Sequence, residues 1–238
     1  MRVIVVRHHA EDSAGFIADA FTARGAEVST HQFPSDGPLP PVGSTDHIVM
    51  LGAIPSVYDD EHASWIEQEL AWLRAADESG VPVLGICFGA QALCTAFGGR
   101  VVAADRKELG WTMIDSADEA MVPAGPWLEF HGDRCEPPAH ATILASNEIG
   151  VQAFSVGRHL AVQFHPEVDA EQLGLWLAAG ARSEVLQAGQ DPDALHARTR
   201  AEEPAARARA DRLVGTALRL AQAGQPASSS MRACSSAT

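Results

Sequence analysis

The sequence predicts an α/β protein built on a mixed, mostly parallel sheet with helices on both faces, followed by a C-terminal helical appendage. Three observations carry that prediction. Over the first hundred positions, short apolar or β-branched runs alternate with helical stretches, a pattern that requires crossover connections and therefore parallel neighbours. After Gly99 the texture changes to short, turn-separated strands with little helix between them. From Asp169 onward it turns helical again.

Taken in order, RVIVV (2–6) is a β-branched strand, and AGFIADAFTARG places Phe16, Ile17, Ala20 and Phe21 on one helical face before a stop at Gly25. AEVSTHQF (26–33) alternates like a strand, PSDGPLPPVGSTD (34–46) is a Pro/Gly loop, and HIVMLG (47–52) reads as a buried strand. EHASWIEQELAWLRAADESG (61–80) is an amphipathic helix carrying Trp65, Leu70, Trp72 and Leu73. VPVLGIC (81–87) and FGAQALCTAFGG (88–99) repeat the strand-then-helix step. GRVVAA, GWTMIDS, ATILAS, VQAFSV and HLAVQF then suggest an antiparallel or mixed extension of the sheet. AEQLGLWLAAGA (170–181) and the segment 193–224 are helical, the latter with Leu195, Leu213, Leu218 and Leu220 as its buried face. The expected organisation is a main domain over 1–168, a helical appendage over 169–223 and a disordered tail over 224–238, where large apolar residues are almost absent.

Charge and cysteine usage narrow the function. Seventeen Lys plus Arg against 31 Asp plus Glu leave a formal net charge of −14, so neither a nucleic-acid backbone nor an anionic membrane is an expected partner. No stretch has the length of a signal peptide core or a membrane span, and a cytoplasmic location is expected. Four cysteines (Cys87, Cys94, Cys135, Cys234) occur without CxxC or Cys/His ligand spacing, so no disulfide framework, metal site or cofactor is expected. A cysteine that matters here should act as a thiol.

Cys87 is the candidate. It sits where an apolar strand gives way to a helix, boxed by Gly85 and Gly89, and a nucleophile in such a turn is lifted above the sheet edge at the positive end of a helix. Thiols in that position have lowered pKa values, and the glycines suit a turn too crowded for a Cβ. Attack on an amide also needs a base to protonate the leaving amine and a group to orient that base. LAVQFHPEV (160–168) supplies both: His165 ends a buried strand and Glu167 lies two residues on.

GICFGAQ together with FHPE resembles the class I glutamine amidotransferase family, whose pattern is a G-x-C-x-G-x-Q elbow followed by a distant H-P-E; the resemblance covers residues 2 to 168. It implies the flavodoxin-like α/β sandwich of that family and a Cys87, His165, Glu167 triad. LGAIPSVYDDEHASW (51–65) looks like the family's oxyanion loop, which implies oxyanion donors at the backbone of Phe88 and of the Gly52–Ala53 turn. FHGD (130–133) looks like its substrate-clamping strand end, which places Gln91, Gly132 and Asp133 around the amino-acid end of the substrate. One departure stands out: the family usually has two consecutive glycines in the oxyanion loop, and this chain has Gly52 followed by Ala53. If position 53 needs a positive φ, alanine there is strained and the donor is misaimed until substrate binds.

Three functions fit these residues. In the first, glutamine is hydrolysed through a γ-glutamyl thioester and the ammonia passes to a separate ATP-dependent synthetase chain, since GxxxxGK[ST] is absent. In the second, the same triad cleaves γ-glutamyl amides in small peptides or conjugates, without a partner. The third keeps the fold as a regulatory module, with Ala53 as the feature in its favour. His8 and His9, at the carboxyl edge of the first strand, are read as loop residues near the pocket mouth. Cys94 is expected to pack on the elbow helix's buried face, and Trp111 either closes over substrate or packs in the core. The Arg-rich stretch RTRAEEPAARARADR mixes both signs and reads as a solvated helix face.

Overall fold

The computed structural model describes residues 1–223; the tail expected over 224–238 lies outside the described residues. Five parallel strands form one half of the sheet: β1 (Arg2–Arg7), β2 (Glu27–Gln32), β3 (His47–Met50), β4 (Val83–Ile86) and β9 (His159–Val162), in the spatial order β2-β1-β3-β4-β9. The inner strands β3, β4 and β9 are buried along their whole length, as parallel strands covered on both faces must be. Helix α1 (Gly15–Ala23) connects β1 to β2, α2 (Ala63–Glu78) connects β3 to β4, and α3 (Phe88–Ala96) leads from β4 toward the remaining strands. The strand order reverses beside β1, and ligands of open α/β sheets gather at the carboxyl ends next to such a reversal.

The extension expected after Gly99 is antiparallel and closes on itself. GRVVAA and GWTMIDS join into one long strand, β5 (Arg100–Ser116), with a register shift between Ala103 and Glu108. It pairs with β6 (Gly125–Glu136) and β7 (Thr142–Ser146), while β8 (Val151–Val156) pairs with β6, β7 and β9. The ring β5-β6-β8-β7 is a small closed barrel fused to the sheet through β9. Of these strands β6 has the least legible sequence. It opens on Gly-Pro and buries Glu129 and His131, polar residues that spoil the apolar alternation by which a strand is recognised.

The helices over 169–223 pack against the sheet and contribute to its core. α4 (Ala170–Trp176) runs through a π-helical turn, Leu177–Ala181, into α5 (Arg182–Gln187), and a 32-residue helix, α6 (Pro192–Ala223), follows. Leu173, Val185, Leu195, Leu213 and Val214 share one apolar cluster with Phe16 and Phe21 of α1, Leu84 and Ile86 of β4 and Trp127 of β6. Leu218 and Leu220, expected on the buried face of α6, are partly buried against the same cluster. Trp111 is in the core, its indole N–H donating to Thr199 of α6 at 2.8 Å, so it does not close over a substrate. Two more clamps come from α6 residues: Thr216 donates to the Met121 carbonyl at 2.6 Å and Arg209 to that of Pro126 at 2.7 Å.

A shared core predicts shared unfolding. Leu213→Ala should cost about 2–5 kcal/mol and lower the midpoint of a single urea transition read by both tryptophan fluorescence and circular dichroism. Two separated transitions, with only the smaller one moved, would show instead that α6 folds independently of the sheet.

Candidate active site

The site begins with a backbone conformation. Cys87 has φ 52° and ψ −108° and is, among the described residues, the one non-glycine with positive φ. Its N–H is held by the Val162 carbonyl of β9 at 2.9 Å, and its own carbonyl accepts from Ala90 and Gln91 at 3.0 and 3.1 Å as α3 begins. The two flanking glycines are explained by crowding, not by φ. A Cβ on Gly85 would collide with the Gly89 carbonyl and lie 2.8 Å from Leu93 Cδ1, and one on Gly89 would collide with the Met50 carbonyl of β3. β4 and α3 therefore touch through bare backbone, and the turn between them projects the sulfur over the sheet edge.

His165 and Glu167 arrive from the end of β9. The His165 N–H is anchored on the Leu128 carbonyl at 2.8 Å, and the Glu167 carbonyl accepts from Phe16 at the start of α1 at 3.1 Å. Gly15 permits that approach, since a Cβ there would strike the same carbonyl. The side chains meet at 2.7 Å, His165 Nδ1 to Glu167 Oε1, and both are buried. Burial alone would lower the pKa of His165, but the charges of Glu167 and Cys87 outweigh it and hold the ring well above the usual imidazole value. Gly52 completes the convergence: a Cβ built there would lie 3.2 Å from His165 Cε1 and 3.8 Å from Cys87 Sγ. The oxyanion-loop candidate, the sulfur and the imidazole thus face one another in a single cleft.

These groups line a cavity of about 570 Å³ that also includes Ala53, Gln91, Gly132 and Asp133. Phe88 is buried as the first residue of α3, where a backbone N–H has no intrahelical acceptor. Gln91 donates to Gln163 at 3.4 Å. Asp133 is already engaged: its two carboxylate oxygens accept from Ser56 at 2.5 Å and from Tyr58 at 2.7 Å, so the oxyanion-loop segment and the substrate-clamp candidate are joined. Ala53 does not have a positive φ, so the strain expected at that position is absent.

Several contributors carry no sequence signal. Trp176 of α4 sets its ring edge-on to His165, centroids 5.0 Å apart, and donates to Asp12 at 3.0 Å. Ala179, Gly180, Ala181 and Glu184 continue that wall, and Glu184 pairs with Lys107 across the rim at 2.8 Å. His9 lines the cavity mouth, whereas His8 is buried behind it against Glu69. Cys94 packs under α3, its sulfur 3.4 Å from the Arg100 and Glu136 carbonyls.

Glu108, Glu129 and His131 form, among the described residues, the one cluster with ligand atoms close enough to hold a metal ion. His131 Nδ1–H donates to the Asp133 carbonyl at 2.7 Å, and Nε2 lies 3.2 Å from Glu108 and 3.1 Å from Glu129. Burial opposes the charged ring, but Glu108 and Glu129 outweigh it and raise the His131 pKa to about 10. In its charged form the ring places one cation between two buried carboxylates.

Comparison with known proteins agrees with this arrangement. The family "Glutamine amidotransferase class-I" matches residues 13–178, more than two thirds of the chain. A GMP synthase [glutamine-hydrolyzing] from Thermomicrobium roseum is 34% identical over 134 residues, which is 53% of this chain and 24% of that protein. The enzyme of the same name from Yersinia pestis is 35% identical over 117 residues, 42% of this chain and 22% of its own length. The chain thus spans about a quarter of the curated relatives it matches. Among solved structures, a glutamine amidotransferase from Thermotoga maritima superposes with a TM-score of 0.84 at 24% identity, covering 93% of this chain and 98% of its own. One from Methylobacillus flagellatus gives 0.82 at 21%, covering 92% and 94%. These two likenesses establish the fold; the sequence match, laid over a cysteine elbow and a His-Pro-Glu turn that meet in one cleft, establishes the kinship. The chain belongs to the class I glutamine amidotransferase family.

Proposed function

We propose that the protein hydrolyses the side-chain amide of glutamine through a γ-glutamyl thioester on Cys87 and releases ammonia for a synthetase carried on a separate chain. The observation that carries the reading is the meeting of sulfur, imidazole and carboxylate at one cavity wall. The sulfur adds to the carboxamide carbon, forming the C–S bond. The oxygen, now an anion, is received by the N–H of Phe88 and a second donor from the Gly52–Ala53 turn. The C–N bond breaks as His165 gives its proton to the departing ammonia. Water then attacks the thioester with His165 as base, glutamate leaves and the sulfur is restored. Glu167 keeps Nδ1–H pointed at itself and so leaves Nε2 for the chemistry. The amino-acid end of the substrate lies at Gln91, Gly132 and Asp133, where an ammonium group would share the Asp133 carboxylate with Ser56 and Tyr58 or displace them.

The coupling to a synthetase is supported by the curated relatives named above, which are glutamine-hydrolysing synthases about four times the length of the matched segment. A second reading, hydrolysis of substituted γ-glutamyl amides, is favoured by the size of the cavity. At about 570 Å³ it falls in the range of roughly 300–1,000 Å³ that suits ligands larger than one amino acid. A panel of glutamine and γ-glutamyl dipeptides on the purified protein, with and without cell extract, separates the two. Ammonia released from glutamine and increased by extract supports the first reading; glutamate formed only from the dipeptides, at a rate indifferent to extract, replaces it with the second.

Within either reading Cys87→Ala should abolish turnover while leaving the unfolding midpoint unchanged, and appreciable residual activity would overturn the assignment of the nucleophile. His165→Ala should cost about 100- to 10,000-fold in kcat and Glu167→Gln less, because the second change disturbs orientation and not proton transfer. The reverse order would mean that the base is misassigned.

The raised pKa of His165 gives a pH profile. A ring whose folded pKa exceeds its unfolded value of about 6.5 stabilises the fold fully below that pH and loses the contribution as pH rises through the folded value. Because the protonated ring is also the acid that releases ammonia, the alkaline fall of kcat/KM should be centred above about 6.5; a fall centred at or below it would contradict the ion pair of His165 with its neighbours.

A further inference from the structure

His8 follows β1 directly and is buried, yet it does not line the cavity. Its Nδ1 lies 2.8 Å from the Gly52 carbonyl oxygen and its Nε2 3.0 Å from Glu69 Oε1 on α2. Both partners accept in their ordinary states, so the ring makes both bonds only when both nitrogens carry protons. Burial disfavours that form, but the hydrogen bond and charge of Glu69, joined by the Gly52 carbonyl, outweigh it and raise the His8 pKa. The ring is confined between Trp65, 5.3 Å away, and Phe88, 5.1 Å away and edge-on. Glu69 is fully buried, and its second oxygen has no hydrogen-bond partner among the described residues.

A buried ion pair of this kind adds little net stability over an apolar pair of the same shape; what it adds is direction. A trans peptide is planar, with its C=O and N–H pointing opposite ways. The carbonyl pinned by His8 belongs to the same peptide unit as the Ala53 N–H, and Gly52 and Ala53 both line the cavity while His8 does not. A carbonyl drawn back to His8 turns that N–H forward. The other end of the loop is tied as well, through Ser56 and Tyr58 to Asp133.

We propose that His8 is a positioning residue that fixes the Gly52–Ala53 peptide plane through its Nδ1 and aims the Ala53 N–H into the cavity as an oxyanion donor. The plane is set through its carbonyl and not through a left-handed residue, which is why alanine is accepted at position 53 with an ordinary φ. The inference rests on the amide hydrolysis proposed above.

Two near-isosteric variants test it. An asparagine amide reaches about where Nδ1 stands and can still donate to Gly52, whereas a glutamine amide reaches toward Glu69. His8→Gln should lower kcat by about 10- to 100-fold, less than complete loss of a donor, with KM within about threefold, and should speed amide hydrogen exchange across residues 51–59. His8→Asn should keep kcat within about threefold of the parent and keep the loop protected. Equal kcat in the two variants, or unchanged exchange in His8→Gln, overturns the assignment. If the unsubstituted protein turns over neither glutamine nor γ-glutamyl dipeptides, the proposed reaction fails, and the exchange comparison alone decides whether His8 holds the loop.

Discussion

The elbow depends on the contact of β4 with α3 and of α3 with β3. Gly85 meets the Gly89 carbonyl, and Gly89 meets the Met50 carbonyl, at separations that no side chain allows. The helix can start that near the sheet only if the residue between them turns through an unusual conformation, and Cys87 takes it, with φ 52°. Such a conformation costs on the order of 1–3 kcal/mol, and the core on both faces of the sheet sustains it. The sulfur's place over the sheet edge is a product of that crowding, and everything else in the site is arranged relative to it.

Around the elbow, each neighbouring element delivers one group and is itself tied down. β9 brings His165, α1 receives the carbonyl of Glu167, α4 sets Trp176 against the imidazole, and the loop after β3 is held by His8 on one side and Asp133 on the other. The C-terminal helices belong to this assembly: their core residues are continuous with β4 and β6, and their π-helical turn walls the cavity. Preorganisation here is distributed over backbone hydrogen bonds, which do not reorganise as charge develops.

The elbow was legible because it combines rare features in a short span: a strand pattern that stops at a cysteine, glycines on both sides, and a helix beyond. The parallel strands were legible from buried apolar runs and the helices from their periodicity, and His165 with Glu167 stood out by following a buried strand. The rest was hidden for definite reasons. β6 buries Glu129 and His131, so its polarity disguises a strand. The ring closure of β5, β6, β8 and β7 depends on pairings between segments far apart in sequence, which no local pattern encodes. His8 reads as one of two adjacent loop histidines, and its role depends on Glu69, 61 positions away. Trp176 and the 177–181 turn read as ordinary amphipathic helix, since nothing local tells a wall of the cavity from a buried face. The two-glycine rule at the oxyanion loop pointed to strain at Ala53, but the peptide there is oriented by a partner the local sequence does not contain.

The central claim is that Cys87, beside His165, forms a thioester with the side-chain carbonyl carbon of its substrate. Rapid mixing with glutamine, acid quench and intact-protein mass spectrometry followed by peptide mapping tests it most directly. The account predicts a transient mass increase of one γ-glutamyl group, mapped to the peptide containing Cys87 and absent from Cys87→Ala. Steady hydrolysis with no adduct at any quench time, in a Glu167→Gln background chosen to slow deacylation as well, or an adduct mapped to Cys94 or Cys135, would contradict it.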